Sequence, residues 1–368
     1  RLVPMIETYI EEYQHGFRKG RSCSDCIFTL AQITEKRREF NLPTYYIFID
    51  YEKAFDRVRR SVLWKILKNI GVPVHLISAI QSLYKNNKIR ICTQRQGLLS
   101  AKLNQGVRQG CPLSPTLFNI YIDDVVRRWL MNLNNFITID NTNFTTLLFA
   151  DDQIIIGKTE NEVQEAVHKL SQVAIQYGMI ISTGKTKVMA FQGQEPIRAK
   201  IVIDGKLIEQ INQFKYLGYS LEYRKSQDVE IKLNRFRHFC GTIQRTLKHN
   251  VRRETLLKLY KVVALPLLLY GCECWTLTSD QLRRIEASEM RFLRYVTGYT
   301  LLDHKRSADI RQELNIEPVT ALIEKYRINW TEHLLRMPNT RIAKAALHYK
   351  PRGTRNIGRP LKRWREQL

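Results

Sequence analysis

The chain is short of the features that would mark a secreted, metal-ribbon or membrane protein. Its 368 residues hold seven cysteines, an odd number, at positions 23, 26, 92, 111, 240, 272 and 274. They are scattered, and the lone C-x-x-C of Cys23 and Cys26 has no second pair at zinc-ribbon spacing. A disulfide scaffold is excluded, and with no signal peptide at the start a reducing compartment is expected. Long apolar runs are also missing. The longest charge-free apolar stretch, Val262 to Cys272, has 11 residues and contains Pro266. About 20 are needed to cross a bilayer, so no transmembrane helix and no membrane partner is expected. There is no internal repeat and no low-complexity segment. The chain opens at Arg1 without a Met and is expected to be a piece of a longer gene product with further domains upstream.

Acids are scarce relative to bases: 35 Asp and Glu stand against 59 Lys and Arg, a net charge of +24. Hydrophobic residues at 44% and charged residues at 26% match a folded globular chain, so the excess charge sits on a structured body. Such a field suits a polyanion, and nucleic acid is the natural partner. At roughly 100 to 200 residues per domain, two or three domains are expected.

Patterning places strands and helices. Thr44 to Ile49 is a β-branched and aromatic run that ends at Asp50. Thr145 to Ala150 runs apolar into Asp151 and Asp152 before Ile154 to Ile156 resumes, which reads as a hairpin with two acids at its tip. Ser61 caps one predicted helix, Ser114 with Pro115 opens another, and Thr159 with Glu162 forms a capping box for a third that ends near Gly178. The class is α+β. Past about Arg224 helical patterns dominate. The last 28 residues, Arg341 to Leu368, carry nine Lys and Arg and one acid.

Hard divalent cations take oxygen ligands, and two ions about 3.5 to 4 Å apart can clamp an in-line phosphoryl displacement. Acids at the ends of neighbouring strands would supply such a site, although Asp is also common at ordinary strand ends and turns. Because strand side chains alternate faces, Asp151 and Asp152 cannot both point one way in a regular strand, and Asp151 ranks first. Asp56, Asp123 and Asp124 read as solvated or ion-paired.

The surrounding blocks, YIFIDYEKAFDRV at 46–58, QGVRQGCPLSPTLFNIYI at 105–122 and LFADDQIII at 148–156, resemble the reverse transcriptases of non-LTR (LINE-type) retrotransposons, in the same order. So do QHGFRKGRSCSDCIFTL at 14–30, YGMIISTGKTKVMAF at 177–191, FKYLGYSL at 214–221 and LPLLLYGCECWTLT at 265–278. The resemblance implies a right-hand polymerase: fingers and palm over 1–222, a helical thumb over 223–300, and over 301–368 a basic extension contacting nucleic acid. It implies RNA-templated DNA synthesis from dNTPs on a DNA primer or target DNA, with two Mg²⁺ ions or Mn²⁺ as substitute. Nuclear location follows, with a cytoplasmic pool as the second place, and an endonuclease supplied separately or from upstream. The rival reading is a catalytically silent retrotransposon-derived nucleic-acid-binding protein.

By the same resemblance Asp50, Asp151 and Asp152 hold the metal, and Lys185 protonates the leaving pyrophosphate. Phe55 packs under the incoming sugar and rejects a 2′-hydroxyl, Tyr51 joins it in binding the substrate, and Gln109 and Gly110 contact the nucleotide. Arg18 and Arg21 suit the triphosphate or template. Tyr216, Leu217 and Gly218 fit the primer grip. Ser182 stands where the family more often has Asn, which bears on the local turn. Gly358, Arg359 and Pro360 among cations resemble a minor-groove reader.

Overall fold

The computed structural model describes residues 2–93, 97–133, 137–139, 142–224, 228–247, 251–355 and 362–367. The Gly358-Arg359-Pro360 motif lies outside the described residues. The principal elements in chain order are helix α1 (Cys23–Glu39), strand β1 (Thr44–Ile49), helix α2 (Arg60–Asn69) and helix α3 (Ser114–Met131). Strands β2 (Thr146–Phe149) and β3 (Asp152–Gly157), helix α4 (Glu160–Gln176) and strand β4 (Lys187–Gln192) follow. Then come hairpin strands β5 (Gln213–Tyr216) and β6 (Tyr219–Glu222) and helices α5 (Asp228–Thr246), α6 (Ser279–Thr297), α7 (Val319–Arg336) and α8 (Ile342–His348). The chain divides into two compact units, one of residues 1–26, 42–192 and 196–211, the other of 27–41, 193–195 and 212–368.

The first unit is built on a sheet in which β4, β1, β3 and β2 lie side by side, with a short parallel strand at Glu209–Gln210 outside β4. All six residues of β1, TYYIFI, are buried, as an apolar run between two partner strands must be. Antiparallel pairing sets Ile49 opposite Gln153 and Ile47 opposite Val188. Helix α4 starts at the capping box of Thr159 and Glu162 and lays its Val163, Ala166, Val167, Leu170 stripe on the sheet. Trp129 of α3 donates its indole N–H to the Ala166 carbonyl at 2.7 Å and is fully buried. Helix α2 begins one residue before Ser61, with Arg59 rather than Ser61 at its cap. Asp123 and Asp124 are paired with Arg127 and Arg128 one turn on, the structural role their position suggested.

Among its described residues the second unit is mainly helical and carries the β5–β6 hairpin. The segment Arg253–Cys274, helical as far as Leu269 and turned at Tyr270 and Gly271, is long and apolar enough to cross a membrane by length and composition, which corrects the expectation of no such helix. The count of apolar residues stopped at Lys261, whereas the helix continues through it. Its buried residues Leu256, Tyr260, Ala264 and Leu268 recur every four positions, the stripe of a helix laid on a core.

The C-terminal segment belongs to this unit's core. Trp364 is fully buried, meets the Phe28 ring edge-on at 4.8 Å and donates to the Glu273 carbonyl at 2.6 Å. Its backbone N–H reaches Glu35 at 3.1 Å, while Arg363 forks onto Glu39 at 2.6 to 3.1 Å. Lys362 donates to the Leu277 carbonyl at 3.0 Å, and Lys344 to those of Leu335 and Met337. From α1, Lys36 returns two bonds of 2.7 Å to the last carbonyls of α8. These cations of the basic tail are engaged with the protein itself.

Candidate active site

Strand β1 delivers Asp50, and the β2–β3 hairpin delivers Asp151 and Asp152, to the same end of the sheet. The register pairs Ile49 with Gln153, so the next step sets Asp50 against Asp152. The three carboxylates feel one another. Asp152 has an exposed surface, yet loss of solvation by the protein around it, with the Asp151 and Asp50 charges, pushes its carboxyl up to about 6. Asp151 is half-buried and is also raised, first by burial and then by Asp50, against a lowering by its own backbone N–H. Asp50 Oδ2 is buried without a hydrogen-bond partner among the described residues, and Lys185 Nζ stands 3.7 Å from it.

Backbone contacts hold Asp50 and the hairpin tip. The Asp50 carbonyl accepts from the Ser182 N–H at 2.8 Å, and its N–H points to Thr186 Oγ1 at 3.3 Å. The same turn closes through Ser182, whose carbonyl accepts from Lys185 and Thr186, so Ser182 serves the turn that presents Lys185. At the hairpin tip Ala150 has a left-handed backbone, φ 59°. Its peptide is clamped by Gln14: the carboxamide oxygen accepts from Ala150 N–H at 3.0 Å and from Gly16 N–H at 2.9 Å, and its NH₂ donates to the Ala150 carbonyl. Residues 13 to 15 also run beside β2, with His15 N–H on the Leu148 carbonyl and Leu148 N–H on that of Tyr13, both at 2.8 Å. Gly16 has to be glycine here, since a Cβ would lie 2.3 Å from Ala150 N.

Gln14 is therefore a positioning residue that motif reading passed over. Its only sequence signal is a place beside Gly16 in the QHGF block; the partner is 136 residues away.

The other candidate residues separate. Phe55 stacks on Phe118 at 4.3 Å with an interplanar angle of 10°, and meets Phe17 edge-on at 6.5 Å. The GVRQG segment is tied beside it: Val107 N–H bonds the Phe55 carbonyl at 2.9 Å and Gly106 N–H that of Val58 at 2.8 Å. Gln109 and Gly110 are exposed on that segment. Tyr51 is buried, its hydroxyl donating to Gln153 Oε1 at 2.6 Å, and it faces the sheet rather than open space. Arg18 is buried on Glu7 and on the Glu11 and Gln14 carbonyls, and Arg21 forks onto Glu12 at 2.6 and 2.7 Å. As placed, both guanidiniums brace the N-terminal segment and offer little surface to a phosphate. In the second unit, Tyr216 is buried while Leu217 and Gly218 form the half-exposed turn of the β5–β6 hairpin.

A family model described as reverse transcriptase (RNA-dependent DNA polymerase) matches residues 1–221. The chain belongs to the reverse transcriptase family. This reverse transcriptase is 22% identical over 342 residues to the probable RNA-directed DNA polymerase from transposon BS of Drosophila melanogaster, covering 89% of the chain and 37% of that relative. It is 22% identical over 351 residues to the RNA-directed DNA polymerase from mobile element jockey of Drosophila funebris, covering 90% and 36%. The chain thus spans little over a third of the length of either relative. Among solved structures, the telomerase from Candida tropicalis in complex with a fragment of telomeric RNA matches with a TM-score of 0.47 at 14% identity, over 94% of this chain and 55% of that one. The antiparallel sheet with its many helices agrees with the right-hand polymerase fold of the matched family.

The acids at the end of the palm sheet fit a hard divalent cation. All three side chains are carboxylates, and the buried Asp50 Oδ2 lacks a hydrogen-bond partner among the described residues. Among the described residues no group of three or more His, Cys, Asp or Glu side chains is placed so that it could hold a metal ion by itself. Mg²⁺ does not require one, since it takes one or two carboxylates and completes its shell with substrate phosphates and water.

Proposed function

We propose that this chain is the polymerase part of a non-LTR retrotransposon reverse transcriptase, adding dNTPs to a primer 3′-OH on an RNA template by two-metal-ion nucleotidyl transfer. The observation that carries the reading is the gathering of Asp50, Asp151 and Asp152 at one end of the palm sheet, with Lys185 reaching Asp50 from the neighbouring turn. Asp50 and Asp151, with Asp152 as third acid, are the residues that would hold the ions. When bound, Mg²⁺, or Mn²⁺ in its place, supplies charge neutralisation to the triphosphate and lowers the pKa of the attacking hydroxyl. Lys185, largely exposed, is free to swing from Asp50 to the departing pyrophosphate and give it a proton from Nζ. Gln109 and Gly110 contact the incoming nucleotide from the exposed segment tethered at Phe55. RNA template, DNA primer or target DNA, and dNTPs are the partners on this reading, and the nucleus is the place of action.

Extension of oligo(dT) on poly(rA) with dTTP and Mg²⁺ tests it. A chain that binds primed template tightly but extends nothing in Mg²⁺ or Mn²⁺ is instead the silent nucleic-acid-binding protein.

Sugar choice gives a sharper check. Phe55 is held rigid between Phe118 and Phe17, so its ring cannot easily yield to a 2′-hydroxyl. Phe55→Val is expected to raise incorporation of UTP relative to dTTP by about 10- to 200-fold, the range one steric group supplies in a pocket. Equal discrimination in variant and parent, measured as the ratio of kcat/KM values, would remove Phe55 from the sugar site.

A further inference from the structure

The β5–β6 hairpin turns on two residues, both with left-handed backbone: Leu217 at φ 47° and Gly218 at φ 81°. Glycine takes that backbone freely, whereas leucine is held there only by its surroundings. The hold comes from outside the hairpin. Tyr270 donates its hydroxyl to the Leu217 carbonyl at 2.7 Å, and its ring lies so close to the turn that a Cβ on Gly218 would come within 3.1 Å of it.

Tyr270 is itself anchored. Its carbonyl accepts from Lys232 Nζ, an ammonium that is 2% exposed and lies over the rings of Tyr219, Tyr270 and Trp275. Lys232 pairs with Asp228 at 2.7 Å. Asp228 accepts from the Ser220 N–H and the Trp275 indole N–H, both at 2.8 Å. One buried ion pair therefore grips β6 just past the turn through Asp228, and grips the turn itself through Lys232 and Tyr270. Tyr270 is 43% exposed, so burial of its ring is not what the core requires of it. What its hydroxyl does is fix a strained carbonyl.

We propose that Tyr270 is a positioning residue for the primer terminus: by bonding the Leu217 carbonyl it holds the Leu217–Gly218 turn in the form that receives the primer strand. The proposal rests on reading that turn as the primer grip.

The test compares an RNA template alone with the same template annealed to a DNA primer, each read by fluorescence anisotropy. Tyr270→Phe keeps the ring and removes one hydrogen bond. Its affinity for primed template is expected to fall about fivefold, with affinity for unprimed template and the Tm unchanged. Gly218→Ala, with the hydroxyl intact, is expected to give the same selective loss by crowding the turn. In an active chain the Tyr270→Phe change falls on the KM for primed template and leaves kcat at saturation within about twofold. Equal losses on the two templates, or none on either, overturn the proposal, as does a lowered Tm with equal losses. Failure of the parent chain to extend a primer it binds would overturn the polymerase reading alone, because the primed-to-unprimed ratio still decides the role of Tyr270.

Discussion

Asp151→Asn is expected to lower primer extension about a thousandfold, equivalent to about 4 kcal/mol of transition-state stabilisation, while primed-template binding stays within about twofold. The asparagine keeps the shape of the β2–β3 tip and removes only the charge that a cation needs. The fold has reason to tolerate this. Asp151 is held among like charges in a partly desolvated place, and both Asp151 and Asp152 are pushed up by burial and by their neighbours. Taking one charge away relieves that repulsion, so the Tm of the variant is expected to equal or slightly exceed that of the parent. The pairing of lost activity with undiminished stability is what a misfolded variant cannot imitate. Extension by Asp151→Asn at a tenth or more of the parental rate, in the same primer assay, would take Asp151 out of the metal site.

Trp364→Ala is the variant expected to cost most stability. Its side chain is fully buried against Phe28, and its indole N–H meets the Glu273 carbonyl at 2.6 Å. Truncation leaves a cavity and an unmet carbonyl, a cost of about 3 to 5 kcal/mol. For a unit of this size that is roughly a 10 °C fall in Tm, followed by calorimetry or near-UV circular dichroism of the tryptophans. The effect is expected to exceed that of substituting any single exposed cation of the tail. A melting curve unmoved by Trp364→Ala would show that the tail does not dock on α1. The same docking bears on the tail's basic charge. Lys362, Arg363 and Lys344 already donate to carbonyls and to Glu39, so replacing them with Gln is expected to disturb folding more than the salt slope of RNA binding.

Much of the first unit's sheet is legible in the sequence. The β-branched and aromatic run TYYIFI, the apolar approach to Asp151, and the Thr159 and Glu162 cap are local signals, each complete within a few residues. They appear as β1, the β2–β3 hairpin and α4. The acids followed because strand ends put them there, and the ordered blocks pointed to the family. A charge run does not say which of its cations the protein itself engages. The GFRKGR cluster looked like a phosphate grip, but Glu7 and Glu12, a short way upstream, take its two arginines. The basic tail, expected to contact nucleic acid, is partly tied down: Glu35 and Glu39 of α1 meet its Trp364 and Arg363 from more than 300 residues earlier in the chain, while Lys350 and Arg352 stay exposed.

Periodicity, capping and strand-end chemistry act over one to a few turns, so residue order alone was enough to specify the palm strands, their flanking helices and the three acids. Folding had to supply the clamp of Gln14 on Ala150, the hold of Tyr270 on Leu217 and the seat of Trp364 on Phe28. Each joins groups 53 or more residues apart through one or two hydrogen bonds or a ring contact. No repeating pattern announces such a partner, because its energy depends on where two distant backbones meet and not on what surrounds either residue in the chain.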